Sequence, residues 1–238
     1  MKVIAMIPAR YSASRFNGKL MAQLKGTSVI RRTYEASVAT NLFDDVIVVT
    51  DSDVIFKEIT DAGGRCIKSK GEHESGSDRI AEAAAELEVD VIVNVQGDTP
   101  FIKKQPLEKL LQQFDNPDVQ VGSLMQLLED EALIADPNYV KVCVDKNSNA
   151  LFFSRSIIPY PRNKEVRIPF YEHIGVYAFR KKALLDFTSW PASPLEMAEK
   201  IECLRYLENS VPIRMVLTEY LGVEIDTPED LERAEKLL

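Results

Sequence analysis

Near-continuous β-branched runs constrain this chain more than any other feature. Val46-Ile47-Val48-Val49 and Val91-Ile92-Val93 read as strands without a polar face, which a sheet tolerates only when helices cover both of its sides. Strand-like segments at 3–7, 45–50, 65–68 and 90–96 alternate with helical patterns at 28–40, 54–62 and 77–87, the signature of parallel βαβ units. Gly63-Gly64 marks a helix stop. After Pro137 the text changes. The segment 140–153 alternates in its first half and carries turn residues at 145–149, which predicts a β-hairpin. A strand at 173–179, helices at 182–187, 195–208 and 228–238, and a strand at 213–217 complete the reading. The expected fold class is α/β, a three-layer sandwich with a mostly parallel central sheet and a smaller antiparallel β extension. A single domain is expected over 1–238, with functional halves at 1–137 and 138–238.

The composition narrows the function classes. The chain has 238 residues, 45% hydrophobic and 28% charged, as expected of a soluble globular protein. No apolar run approaches the roughly eighteen residues of a membrane span, and Lys2 is followed by only five apolar residues before Pro8. The expectation is therefore a cytoplasmic protein with no secretory signal and no membrane partner. Cys66, Cys143 and Cys203 are widely spaced, with no C-x-x-C pair, and are expected to be reduced thiols. His73 and His173 lie too far apart for a zinc pattern. A pI near 5.0 argues against a general nucleic-acid binder, whose domain is usually basic.

Against a net charge of −8, the N-terminus is locally cationic. Lys2, Arg10, Arg15, Lys19, Lys25, Arg31 and Arg32 all precede the first acid, Glu35. Within this stretch Arg10, Arg15 and Lys19 sit on the loop Ala9–Lys19 that leaves the first strand. The rim at strand C-termini is where open α/β sheets bind ligands, and a local positive site is what a polyphosphate would need on an acidic protein. The loop therefore reads as a phosphate cradle that Gly18 lets turn tightly, or as a solvated basic surface.

Two acids stand at predicted strand ends. Asp98 closes Val95-Gln96-Gly97-Asp98, and Asp226 precedes Thr227-Pro228-Glu229-Asp230. Asp98 is either a Mg²⁺ ligand or the hinge of an Asx-turn. Thr227, Pro228, Glu229 and Asp230 form a helix start, with Thr227 as N-cap and acids favoured in the first turn, leaving Asp226 as the second candidate for Mg²⁺. The polar stretch 70–79 enters a helix, so Ser75 and Arg79 could meet a base or phosphate, or simply cap a loop. Asp51-Ser52-Asp53 resembles a D-x-D metal text but reads more simply as a helix cap. In the C-terminal half, Arg155, His173, and the pair Glu199 and Glu202, three apart on the predicted helix and so on one face, offer a cation, an imidazole and acids to an acidic polyhydroxylated ligand, or are structural.

Taken in order, Ile7-Pro8-Ala9-Arg10-Tyr11, Asn94-Val95-Gln96-Gly97-Asp98, Phe153-Ser154-Arg155, His173-Ile174-Gly175-Val176-Tyr177, Ser193-Pro194-Leu195-Glu196 and Asp226-Thr227-Pro228-Glu229-Asp230 resemble the 3-deoxy-manno-octulosonate (Kdo) cytidylyltransferase family over essentially the whole chain. The resemblance implies a nucleotide-diphospho-sugar transferase-like fold whose first half binds nucleotide and whose second half binds sugar and dimerises. It implies a homodimer that joins CTP to a 2-keto-3-deoxy sugar acid with Mg²⁺, for lipopolysaccharide biosynthesis. By position it places Ala9, Arg10, Arg15, Lys19, Ser75, Arg79, Gln96 and Asp98 at the nucleotide. Gln96, Arg155, His173 and Glu202 would lie at the sugar, Asp98 and Asp226 at the metal, and Arg15, Lys19 and Asp98 would be catalytic. Two positions depart from the family pattern. Thr99 stands where Glu is frequent, and Cys203 where a Gln would reach the sugar, which brings in 8-amino-8-deoxy-Kdo or another keto-deoxy acid as an alternative substrate. A nucleotide-sugar glycosyltransferase and a silent nucleotide-binding module are the competing classes.

Overall fold

Seven consecutive buried residues, Val3–Ala9, form the first strand, and burial at every position means that both faces of its sheet are covered. The structure, a computed structural model, describes residues 1–12, 16–71, 73, 75–219 and 224–238. It contains two compact units, Met1–Gln105 with Leu221–Leu238, and Pro106–Tyr220.

In chain order the first unit comprises β1 (Val3–Ala9), a 3₁₀ turn at Lys19–Met21, the short pair β2 (Gln23–Leu24) and β3 (Thr27–Ser28), α1 (Val29–Ala39), β4 (Asp45–Thr50), α2 (Asp53–Asp61), β5 (Arg65–Lys68), α3 (Gly76–Ala85) and β6 (Val91–Asn94). Its main sheet runs β6-β1-β4-β5, all parallel, with Met6 opposite both Ile47 and Asn94. Helix starts are set locally. Ser28, Ser52 and Ser75 each accept the amide three residues on, at 3.4, 3.4 and 3.1 Å, satisfying donors that a helix end otherwise leaves open. Asp51-Ser52-Asp53 is accordingly a cap. The core is aliphatic, with Ile7, Ile47, Val48, Ile55, Ile59, Val93 and Ile92 fully buried, each contributing about 1.5–3 kcal/mol.

Helix α4 (Lys104–Gln112) spans the division. The second unit then follows with β7 (Val121–Leu128), α5 (Glu131–Ala135), β8 (Lys141–Val144), β9 (Ala150–Ser154), β10 (Phe170–Arg180), α6 (Lys181–Ser189), α7 (Pro194–Glu199), α8 (Leu204–Glu208) and β11 (Ile213–Leu217). Here β11 runs parallel to β7, whereas β10 is antiparallel to β7 and β8, and β8–β9 is the expected hairpin. The chain returns to the first unit with α9 (Pro228–Glu235).

One expectation is corrected, and one strand is added. The helix read over 195–208 is two helices, because Lys200 adopts a left-handed φ of 55° and ends α7. Glu199 and Glu202 therefore do not share a helix face. Strand β7 was absent from the sequence reading. The compact units divide after Gln105, and Asp226 belongs with the N-terminal unit.

Candidate active site

The first unit builds its polar centre from three chain segments. Gly18, at φ 71°, turns the basic loop, its amide donates to the Tyr11 carbonyl at 3.1 Å, and the buried Leu20 anchors the turn that starts at Lys19. Past β6, the Val95 amide extends the ladder to the Met6 carbonyl at 3.0 Å, after which the chain turns over 96–99. Thr99 closes that turn, its hydroxyl donating to the Gln96 carbonyl at 2.6 Å, and the Thr33 hydroxyl holds the Gly97 carbonyl at 2.9 Å. Gly97 is required by close approach. A Cβ there would lie 3.1 Å from the Pro8 carbonyl oxygen and 3.2 and 3.3 Å from Ile30 and Leu20. The third segment is positioned by the start of α9. Thr227 accepts the Asp230 amide at 3.2 Å, while the Asp230 carboxylate accepts the amides of Thr227 and Asp226 at 2.9 and 3.1 Å. The Ile225 amide donates to the Asp98 carbonyl at 3.0 Å, which stitches this segment to the Asp98 turn.

These turns bring Asp98 and Asp226 to one cation. The Lys19 ammonium donates to Asp98 Oδ2 and, at 2.7 Å, to Asp226 Oδ1. The three side chains are 16, 19 and 33% exposed respectively, close to solvent but largely desolvated. Burial pulls the Lys19 pKa down, yet the two carboxylates more than offset this and leave it above the ordinary lysine value. Among the described residues no cluster of three or more His, Cys, Asp or Glu is placed to hold a metal. Two converging carboxylates on a shared cation do suit Mg²⁺, which is commonly held by one or two carboxylates together with substrate phosphates; the ammonium stands in for such a charge.

The other nucleotide-side residues are placed differently. Ala9 ends β1 in the core, and Arg10 is exposed just beyond it. Gln96 is half-buried and donates to Asn94 Oδ1 at 3.4 Å. Ser75 caps α3. The Arg79 guanidinium is committed inside the fold, donating to Ser69 Oγ at 2.5 Å and to Asp51 Oδ2 at 2.9 Å. Arg15 lies outside the described residues.

A second polar cluster lies in the other unit. A register shift between Ile174 and Tyr177 breaks the β10–β7 ladder. Four residues of regular strand span about 13 Å, whereas the His173 and Tyr177 rings are 5.3 Å apart. His173 also meets Phe153 edge-on at 5.0 Å, and its Nε2 lies 3.2 Å from the Ser123 hydroxyl. Burial lowers its pKa to about 4, so the ring is neutral at pH 7. Tyr177 is hydrogen-bonded to Cys203, with the Glu202 charge nearby, and burial lifts both the phenol and the thiol, Cys203 to about 12. Tyr177 carries no sequence signal for a role at this cluster, because the bulge beside it is marked locally only by Gly175. The half-buried Arg155 spends its guanidinium on backbone carbonyls. Its Nε, Nη1 and Nη2 donate to the carbonyls of Glu199, Pro137 and Lys200 at 2.7, 2.8 and 3.3 Å. Glu199 in turn accepts from Ser154 Oγ at 2.6 Å and from the Arg155 amide at 3.0 Å.

Comparison with known proteins shows the family. The cytidylyltransferase family profile matches residues 4–215. The 3-deoxy-manno-octulosonate cytidylyltransferase of Flavobacterium johnsoniae is 58% identical, over 100% of this chain and 99% of the relative, and that of Christiangramia forsetii is 56% identical, over 100% and 97%. A solved CMP:2-keto-3-deoxy-manno-octonic acid synthetase complexed with CTP superposes with a TM-score of 0.95 at 36% identity, covering 100% of this chain and 98% of that one, in accord with the expected α/β fold class. A 4-diphosphocytidyl-2C-methyl-D-erythritol synthase from Anaerococcus prevotii shares the fold, with a TM-score of 0.66 at 17% identity over 99% and 97%. With its full length matched by such relatives, the chain belongs to the 3-deoxy-manno-octulosonate cytidylyltransferase family.

Proposed function

We propose that this chain transfers a cytidylyl group from CTP to Kdo, forming CMP-Kdo and releasing pyrophosphate, with Mg²⁺ at Asp98 and Asp226. The observation that carries the proposal is the meeting of Lys19, Asp98 and Asp226 in a chain of this family. The anomeric hydroxyl of the sugar attacks the α-phosphorus in line as pyrophosphate leaves, so the protein's task is positioning and charge stabilisation rather than covalent chemistry. Lys19 and Arg10, from the N-terminal loop, would hold the triphosphate, with Arg15 between them in the sequence. Bound Mg²⁺ would neutralise phosphate charge and favour ionisation of the attacking hydroxyl. The neutral His173 ring, Tyr177 and Glu202 would receive the sugar acid, and Gln96 would contact the nucleotide. Arg155 would act by holding the chain at Pro137, Glu199 and Lys200 in place. The Flavobacterium johnsoniae and Christiangramia forsetii relatives and the CTP-complexed synthetase are named for the Kdo reaction, so the amino-sugar alternative is not favoured.

The same proposal includes a homodimer in the cytoplasm whose product feeds lipopolysaccharide assembly; no helix among the described residues is long and apolar enough to cross a membrane. The test is pyrophosphate release from CTP, Mg²⁺ and Kdo. Release that needs all three supports the reading, and transfer from a nucleotide-sugar without pyrophosphate would replace it with a glycosyltransferase.

A further inference from the structure

The same two oxygens that would receive a divalent ion already bind an ammonium group. Lys19 Nζ donates to Asp98 Oδ2 and to Asp226 Oδ1, and Mg²⁺ takes oxygen ligands at about 2.0–2.1 Å, so one position cannot hold both cations. The parts also differ in freedom. Asp98 is fixed by a turn closed by Thr99 and Thr33, and Asp226 by the capping box of α9. Lys19 has its backbone fixed by Gly18 and Leu20, but its head sits on a flexible four-carbon stem. The lysine head is therefore the component that can leave.

We propose that Lys19 is the resident counter-ion of the metal site and makes metal binding depend on the nucleotide triphosphate. The proposal rests on the metal reading above. A divalent ion arriving alone must expel the ammonium from two carboxylates into a partly desolvated setting. When a triphosphate arrives with it, the ammonium moves onto phosphate oxygens while the metal takes the two carboxylates, so each cation keeps anionic partners. By linkage, the triphosphate tightens metal binding by the factor that metal tightens triphosphate binding. Lys19 thereby discourages occupation by a metal without substrate, a role distinct from direct stabilisation of the phosphates.

The test titrates Mn²⁺ into wild type and Lys19→Met, with and without CTP and in the absence of any sugar acid, reading free Mn²⁺ by electron paramagnetic resonance. Wild type should bind Mn²⁺ alone weakly and at least about tenfold more tightly with CTP, within the usual range of coupling. Lys19→Met should bind Mn²⁺ alone at least about tenfold more tightly than wild type. Lys19→Gln serves as a second variant, and thermal melts show that each is folded and that Mn²⁺ alone raises its melting temperature more than it raises that of wild type. Asp226→Asn combined with Lys19→Met should lose the gain. Equal Mn²⁺ affinity in wild type and both Lys19 variants overturns the counter-ion role while leaving the metal reading intact. Absence of Mn²⁺ binding to every form, with or without CTP, overturns both.

Discussion

Asp98 and Asp226 meet the Lys19 ammonium from backbones that are pinned independently of their side chains. Asp98→Asn keeps the Thr99 and Gly97 hydrogen bonds but removes a charge from the site. Its turnover should fall by about 10²–10³-fold, the range seen when one preorganised electrostatic group is lost, with an unchanged circular dichroism spectrum. Gly97 is the sensitive neighbour. In Gly97→Ala the new methyl meets the Pro8 carbonyl oxygen at 3.1 Å, so urea unfolding should show a loss of about 1–3 kcal/mol, the usual cost of overpacking. Activity should fall with it, since relief of that contact displaces Asp98.

Elements differ in how much of their ending is written locally. Helix α7 stops at Lys200, whose left-handed backbone costs a non-glycine residue about 1–2 kcal/mol. Lys200→Gly, which keeps the carbonyl that Arg155 Nη2 uses, should stabilise the protein by about 0.5–1 kcal/mol once the entropy of glycine is deducted; denaturant midpoints check it. Strand β10 contributes one source of acid sensitivity. His173 has its pKa lowered by burial from 6.5 to about 4, so between those values the unfolded chain holds a proton that the folded one does not. Stability therefore rises with pH across that window and is lost as pH falls through it, by at most about 3 kcal/mol. His173→Asn should flatten this slope, measured as urea midpoints at pH 7 and pH 4.5.

At the level of the entire chain, ligand binding should report nucleotide choice. CTP with Mg²⁺ at about a hundred times its Kd adds about 2.7 kcal/mol, which for a protein of this size raises Tm by about 5–10 °C. ATP or UTP at the same concentration should give less than half of that in a thermal-shift assay, and an equal shift would refute cytidine selectivity. Much of the architecture was readable beforehand because its signals are local. The strand-like segments at 45–50, 65–68 and 213–217 fall on β4, β5 and β11, and Ser28, Ser52 and Thr227 are caps whose side-chain bonds reach only three residues ahead. Strand β7 escaped because Gly122, Ser123 and Gln126 interrupt its apolar run, and its conformation is imposed by pairing with β10 and β11. The break at Lys200 escaped because a lysine in a left-handed turn looks locally like a helical residue. Residue types alone named Lys19, Asp98 and Asp226, since short-range chemistry marks a cation after a strand and acids at strand ends. That the ammonium should close on two carboxylates 79 and 207 residues away, and that Arg79 and Arg155 should be drawn into backbone and side-chain clamps instead, was decided by tertiary packing, because side-chain partners distant in sequence are chosen by which turns the folded sheet brings together.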